Sequence, residues 1–414
     1  MSKKEPFNCY EPVRNLKWYL YPIEFIAAKG LCLLNGIHTH VDKEAKKMKG
    51  PFLVLSTHQS FHDFPALCSM LMPRSTRWVI SVEEFRGREQ LFRNIGAIPK
   101  RKFTHSLDTV KNILKSIKEG KNVAFYPEAR YEFAGINEPL DDALGKLCKK
   151  AGVPVLMSMN YGNYLREPQW HKKPNRKIRM DDSLYVLFTK EQVEEMSTEE
   201  LQSRIEEAFK KDEYKWQVEH NYEIKAPDRA EGLHRILYKC PHCGQEFKMT
   251  TFGTFLKCDA CGSTWELDTL NRLKGVNTDK GFSHIPDWYL WERDEVKKEV
   301  EAGTYHFEDD VRIEEFFNGP VGVIPVGEGH LVHDEHGFTI TGTVRDKEMV
   351  IKKPVNTMYS CHVEFNFDKK GDAVDIAYND TTYMVFLKTA PNQLTKLQFA
   401  TIELYNYYVR NKQN

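Results

Sequence analysis

Five short aliphatic runs constrain this chain more than any other feature: F-L-V-L-S at 52–56, R-W-V-I-S-V at 77–82, N-V-A-F-Y-P at 122–127, V-P-V-L-M-S at 153–158 and S-L-Y-V-L-F at 183–188. None alternates with polar residues, so each reads as a strand buried on both faces. Helical patterns separate them. The clearest begins near Ser106, places Leu107, Val110, Leu114 and Ile117 at three- and four-residue spacing, and stops at Gly120. Strand and helix in turn predict an α/β class, a sheet flanked on both sides by helices.

A chain of 414 residues exceeds one ordinary core and predicts two or three domains. The first spans 1–213 and closes on a charge-dense stretch, 191–213, read as a pair of solvated helices with an exposed face. Residues 214–235 read as a linker. A small ribbon is expected at 236–270, a linker helix within 271–304 and a β domain over 305–414. In that last part G-F-T-I-T-G-T-V and T-Y-M-V-F-L alternate, broken by D-E-H-G, D-K-K-G-D and Y-N-D-T. The pattern predicts an antiparallel sheet closed by a helix at 392–410.

Lys+Arg and Asp+Glu number 59 each, which removes the broad positive field of a protein held to nucleic acid by charge. The opening M-S-K-K-E-P-F lacks the apolar segment of a signal peptide, and the expected location is the cytoplasm. Eighteen apolar residues never run together; the nearest approach, 18–37, is interrupted by Pro22, Glu24, Lys29 and Asn35. Residues 15–34 mix Trp, Tyr and aliphatics with a few charges, fitting an interfacial helix as well as a core helix. Peripheral attachment to the inner face of the cell membrane is the expectation.

Cys9, Cys32, Cys68, Cys148 and Cys361 are scattered singly, as buried thiols in a reducing compartment are. The other four form Cys240-x2-Cys243, then fourteen residues, then Cys258-x2-Cys261, each pair followed by a glycine, Gly244 or Gly262. Two residues between thiolates let both sulfurs reach one tetrahedral ion, and the glycines let the backbone turn under it. Four thiolates close the coordination shell, so the reading is a ribbon with structural Zn2+. Disulfides are disfavoured by the compartment, and redox chemistry needs only one pair. The ribbon's mixed charge favours a scaffold over a nucleic-acid contact.

The run at 52–56 delivers the backbone into T-H-Q-S-F-H-D. On a continuous helix, five residues turn through about 140°, so His58 and Asp63 could not face each other. If His58 ends the strand and Asp63 opens the next helix, Asp63 accepts from Nδ1 and Nε2 stays free to take a proton from a substrate hydroxyl. The same residues also describe a loop capped by Asp63 with solvated imidazoles. Two further strand ends carry chemistry. G-A-I-P-K-R-K ends in Lys100, Arg101 and Lys102, and N-V-A-F-Y-P runs into Glu128, Ala129 and Arg130. Ligands meet parallel sheets at the carboxyl ends of strands, and these groups suit activation of a hydroxyl beside a phosphate.

The blocks T-H-Q-S-F-H-D (57–63), G-A-I-P-K-R-K (96–102), Y-P-E-A-R (126–130) and G-V-P-V-L-M (152–157) follow one another in that order. The order resembles the glycerolipid acyltransferase superfamily, which includes the 1-acylglycerol-3-phosphate acyltransferases and carries N-H-x-x-x-x-D, a basic block after a glycine, F-P-E-G-T-R and V-P-hydrophobic blocks. The resemblance covers roughly 20–210. It implies an acyltransferase-type sheet, His58 as general base and Asp63 as its orienting partner. It further implies Arg101 or Lys102 with Arg130 as a phosphate or headgroup clamp, with Lys100 beside them as a substrate-binding candidate, and Glu128 contacting the acceptor or ordering the site. The implied donor is a thioester on coenzyme A or acyl carrier protein. The implied acceptor is a lysophospholipid, lysophosphatidic acid by default. Transfer would be direct, with backbone N–H groups near the turn as oxyanion donors. Cys68 reads as core filling. Thr57 stands where the family has asparagine, and Ala129-Arg130 where it has Gly-Thr-Arg, which bears on the acceptor's identity. That departure supports a rival, a degenerate fold acting as a lipid- or protein-binding module. The tail resembles a pleckstrin-homology-like domain by pattern alone.

Overall fold

A computed structural model describes residues 11–104, 106–171, 176–316, 323–378, 381–389 and 392–410. Cys9 and the opening residues lie outside that set, as do 379–380 of the Y-N-D-T break.

The aliphatic runs become the middle of a seven-stranded sheet. Its strands are β1 Ile37–Val41, β2 Leu53–Ser56, β3 Thr76–Ser81, β4 Ile98–Lys100, β5 Asn122–Phe125, β6 Val155–Tyr161 and β7 Met180–Phe188, in the spatial order β1-β7-β6-β2-β5-β3-β4. Only the β6–β7 pair is antiparallel. Successive side chains go to opposite faces, and through β2, β5 and β6 both faces are dry; β7, expected to be buried on both faces, instead alternates buried with half-buried positions because it lies nearer the sheet edge. Leu53, Leu55, Val123, Val155 and Met157 meet Ile113, Ile117, Leu201, Ile205 and Phe209 on one side. Phe52, Val54, Ala124 and Leu156 meet Leu67, Met70, Leu71 and Trp78 on the other. Each such buried side chain contributes roughly 1.5–3 kcal/mol.

The two edge strands, β1 and β4, lack a long aliphatic run. I-H-T-H-V alternates because one face is half wet, and β4 has three residues. The helix Leu107–Lys118 starts where Ser106 Oγ accepts the Thr109 N–H at 3.2 Å. Leu107, counted into its apolar stripe, points outward.

The charge-dense stretch forms the helices Lys190–Glu195 and Thr198–Phe209, each opened by a capping box. Its last residues depart from the expected solvated face: Lys211 and Glu213 are buried. The expected linker at 214–235 is packed as well. Tyr214 and Trp216, in the helix Glu213–Glu219, are buried, and so are Ile224, Ala230 and Leu233.

Four short strands, β8 Met249–Phe252, β9 Phe255–Cys258, β10 Thr264–Leu267 and β11 Leu273–Gly275, make the ribbon sheet. The helix Ile285–Glu301 follows and buries Trp288, Tyr289, Val296 and Val300. The tail forms seven antiparallel strands: β12 Phe307–Phe316, β13 Val323–Asp334, β14 Gly337–Val344, β15 Lys347–Pro354, β16 His362–Glu364, β17 Ala373–Tyr378 and β18 Thr381–Leu387. Their order is β15-β14-β13-β12-β18-β17-β16, and the helix Leu394–Tyr405 packs against Ile285–Glu301. One continuous core joins Phe133, Tyr164 and Trp170 of the first unit to Trp265 of the ribbon and Ile313, Ile376 and Phe399 of the tail.

The helix Leu20–Asn35 buries only Ala28 and Cys32, with Glu24 accepting from the Trp78 indole at 3.2 Å. Trp18, Ile23, Ile26, Leu33 and Leu34 face outward, Trp18 with 84% of its surface exposed. Among the described residues no helix is long and apolar enough to cross a membrane.

Candidate active site at the end of the second strand

Thr57 locks the end of β2 against β6. It donates its N–H to Ser158 O at 3.2 Å, its Oγ1 accepts the Asn160 N–H at 3.2 Å, and its carbonyl accepts from the Asn160 amide at 3.0 Å. The chain then leaves the sheet at His58 and turns into the helix Asp63–Leu71. The turn brings His58 Nδ1 to 3.2 Å from Asp63 Oδ2. Oδ2 also accepts the N–H groups of Gln59 at 2.5 Å and Ser60 at 3.0 Å, while Oδ1 accepts from the Asn163 amide at 2.8 Å. So many converging donors suit a carboxylate and leave the Nδ1 proton as the one His58 carries.

The imidazole stacks on Tyr126, ring centroids 4.0 Å apart, and lies 4.4 Å from Tyr131. It keeps 22% of its side-chain surface in solvent, and Nε2 has no hydrogen-bond partner among the described residues. His62 is different. Its Nε2 lies 3.6 Å from Glu167, and burial, then the charge of Arg166, lowers its pKa.

Behind the turn lies a buried ionic cluster. Lys211 Nζ sits 2.8 Å from Glu132 and 3.1 Å from Glu213, all three side chains fully buried. Gln59 donates its amide to both carboxylates, and the Glu132 N–H donates to His58 O at 2.9 Å. Glu128 completes the support: one oxygen accepts the His58 N–H at 2.8 Å, the other the Glu138 N–H at 2.7 Å. Burial pushes its carboxyl up to about 8 against those bonds and the Lys211 charge. Glu128 therefore orders the turn from within. Sequence reasoning missed Asn163, Glu132, Lys211 and Glu213. Glu132 lies two residues past Arg130, but the others carry no local signal.

The oxyanion expectation needs correcting. The N–H groups of His58, Gln59 and Ser60 are spent on Glu128 and Asp63, and those of His62 and Asp63 on Ser60. Phe61 N–H is left uncommitted among the described residues of the turn.

The structure does not bring the four basic residues to the imidazole as a group. Lys100 ends β4, where burial lowers its ammonium pKa against the pull of Asp141. Arg101 has a partner of its own. Lys102 Nζ lies 2.9 Å from His362 Nε2 of the tail. Arg130, expected in the clamp, is 3% exposed and lies between the rings of Phe103 and Phe133. It donates to the Glu138 carboxylate, to Ser360 Oγ at 2.9 Å and to Cys361 O at 2.7 Å. Its Nε has no hydrogen-bond partner among the described residues, but a guanidinium enclosed and held at these three acceptors is not offered to a ligand. Between Glu128 and Arg130, Ala129 adopts φ +58°, the left-handed region. Cys68 is buried, and its thiol pKa is pushed well up by burial.

Far from this turn, the sulfurs of Cys240, Cys243, Cys258 and Cys261 all lie within 4.8 Å of one another. The Cys240–Cys261 and Cys243–Cys258 separations are 3.8 Å. Sulfurs at about 2.3 Å from one tetrahedral ion stand about 3.8 Å apart, whereas a disulfide needs about 2.05 Å. The four residues could hold a metal ion, and their geometry fits zinc.

Residues 37–157 match the acyltransferase family model. Among solved structures, the 1-acyl-sn-glycerophosphate (LPA) acyltransferase PlsC from Thermotoga maritima is similar at 19% sequence identity and a TM-score of 0.38. That similarity covers 49% of this chain and 80% of that one. No curated protein matches the chain.

Proposed function

We propose that the protein is an O-acyltransferase that moves a fatty acyl group from a thioester, on coenzyme A or acyl carrier protein, to the hydroxyl of a lysophospholipid. One observation carries the reading. In a segment that matches the acyltransferase family, His58 has Nδ1 oriented by Asp63 and, in a side chain 22% exposed, an Nε2 without a hydrogen-bond partner among the described residues. His58 Nε2 takes the acceptor's hydroxyl proton while that oxygen attacks the thioester carbonyl. Collapse of the tetrahedral adduct expels the thiolate, which recovers the proton from the imidazolium. Asp63 keeps the ring in register and stabilises its charged form. Lys100 and Arg101 are assigned to the substrate side, Glu128 to ordering the turn.

The acceptor is a lipid, and the helix Leu20–Asn35 offers the surface that would meet a membrane. Its outward Ile23, Ile26, Leu33 and Leu34, with exposed Trp18 just before it, suit an interfacial helix, and Phe61, 56% exposed, lies in the same turn as His58. The reading is peripheral attachment to the cytoplasmic face of the cell membrane. The four cysteines hold structural Zn2+ and fix the ribbon, whose chemistry stays outside the reaction. The capture of Arg130 by Glu138 and the tail favours a second reading, a lipid- or protein-binding module without turnover.

Release of free thiol from long-chain acyl-coenzyme A and acyl carrier protein, with a panel of lysophospholipids, tests the proposal. Turnover that disappears in His58→Ala supports it. Absence of turnover by the unmutated protein with every pair leaves the binding module.

A further inference from the structure

The acyl-transfer reading leaves open which group meets a phosphate. Of the four cations that the resemblance nominates, Arg130 is bound to Glu138 and the tail, and Lys102 lies against His362. Lys100 is mostly buried with Asp141 near it, and Arg101 has a partner. A fifth cation stands close to the catalytic pair. The short helix Asn163–Arg166 follows β6, and its first residue is the one whose amide donates to Asp63 Oδ1 at 2.8 Å. Three residues on, Arg166 lies one turn along the same side.

The Arg166 Nε is buried and has no hydrogen-bond partner among the described residues. Leaving a buried N–H unmet is costly; the Nε atoms of Arg130, Arg176 and Arg235 share this state, but Arg130 and Arg176 have other guanidinium hydrogen bonds, whereas none is found for the Arg166 side chain among the described residues. The neighbouring carboxylate does not meet it: Glu167 lies 3.6 Å from His62 Nε2, and no ion pair joins Glu167 to Arg166 among the described residues. Electrostatics puts Arg166 in the same surroundings: burial and then its charge lower the pKa of His62, and its charge opposes the burial that raises Glu167, which also feels Asp63. The planar fork of a guanidinium matches two oxygens of one phosphate, which an ammonium such as that of Lys102 cannot do.

We propose that Arg166 binds a phosphate group of the substrates, in place of the enclosed Arg130. This rests on the acyltransferase reading of the same turn. Two substrates bring phosphate, the lysophosphatidic acid headgroup and coenzyme A, and separate arms of the test distinguish them. Calorimetric titration of the full chain with glycerol 3-phosphate and with coenzyme A comes first, because it needs no turnover. Arg166→Ala is expected to weaken one of the two by about tenfold or more, the range of a lost charge-assisted hydrogen bond.

In the kinetic arm, the same substitution raises KM for lysophosphatidic acid but not for uncharged monoacylglycerol if the headgroup is the partner. It raises KM for acyl-coenzyme A but not for phosphate-free acyl-pantetheine if the donor is. Arg166→Lys should recover part of the loss and Arg166→Gln none; the Gln variant replaces Ala should the latter melt early. Equal binding of both ligands by the unmutated and substituted proteins overturns the proposal. So does binding of neither ligand by the unmutated protein, or an equal loss for charged and uncharged substrates. A binding difference without turnover retains the phosphate site and removes the acyl-transfer reading instead.

Discussion

Two of the molecule's histidine–aspartate pairs join a ring Nδ1 to a buried carboxylate and yet differ in use. His58 and Asp63 meet at 3.2 Å across one turn; His362 and Asp375 meet at 2.8 Å across β16 and β17. The tighter pair is the less useful one. His362 Nε2 is covered by Lys102, and burial, then the Lys102 charge, lowers its pKa to about 3. Burial also raises Asp375 to about 7, and its Oδ1 has no partner. His58 has the opposite arrangement: its carboxylate is fully engaged, and its far nitrogen has no hydrogen-bond partner among the described residues. A base is therefore defined by what surrounds the pair, a saturated carboxylate behind and an open nitrogen in front.

The sharpest way to break this contrast is to remove each imidazole. His58→Ala should lower kcat by about 10²–10⁴, while His362→Ala should change kcat by less than about tenfold and lower the melting temperature, both read by thiol release and thermal melts. Next comes the support of the first pair. Lys211→Met strands Glu132 and Glu213 without their cation and should cost about 3–5 kcal/mol in denaturant unfolding, with loss of activity as the turn loosens.

The second pair gives a smaller, pH-dependent effect. A carboxyl raised from 3.8 to about 7 keeps its proton longer in the folded state, so its contribution is complete below about pH 4 and is lost as pH rises to 7. Asp375→Asn places an amide at the unpartnered oxygen and should flatten that part of the stability–pH curve. A slope unchanged from the parent would sink the assignment. The smallest effect concerns Ala129, the residue between Glu128, which holds the His58 turn, and Arg130, which is held by the tail. Ala129→Gly relieves a left-handed φ of +58°, and chemical denaturation should show a gain of up to about 1 kcal/mol.

The central strands were legible because burial on both faces writes an unbroken aliphatic run. β1 was not, since an edge strand carries half that pressure, and β4 was legible only as the strand end that leads into Lys100. His58 and Asp63 could be paired because strand, turn and helix lie within one short stretch. Arg130 could not be read in the same way: its partners Ser360 and Cys361 come from the far end of the chain, and no local pattern records them. Lys211 and Glu213 look like the solvated charges before them in the helix Thr198–Phe209. Only the return of the chain behind Gln59 makes them interior. Tyr214, Trp216, Ile224 and Leu233 sit among polar residues without periodicity, so a packed segment reads as a tether.

The continuous core has a consequence for synthesis. Phe133, Tyr164 and Trp170 emerge from the ribosome long before Phe399 and Leu404, the side chains that share their core. Until the helix Leu394–Tyr405 is out, those early aromatics lack part of their cover, and the nascent chain must be shielded or stay collapsed and unfinished. Maturation of the first half is thereby timed by the last described helix.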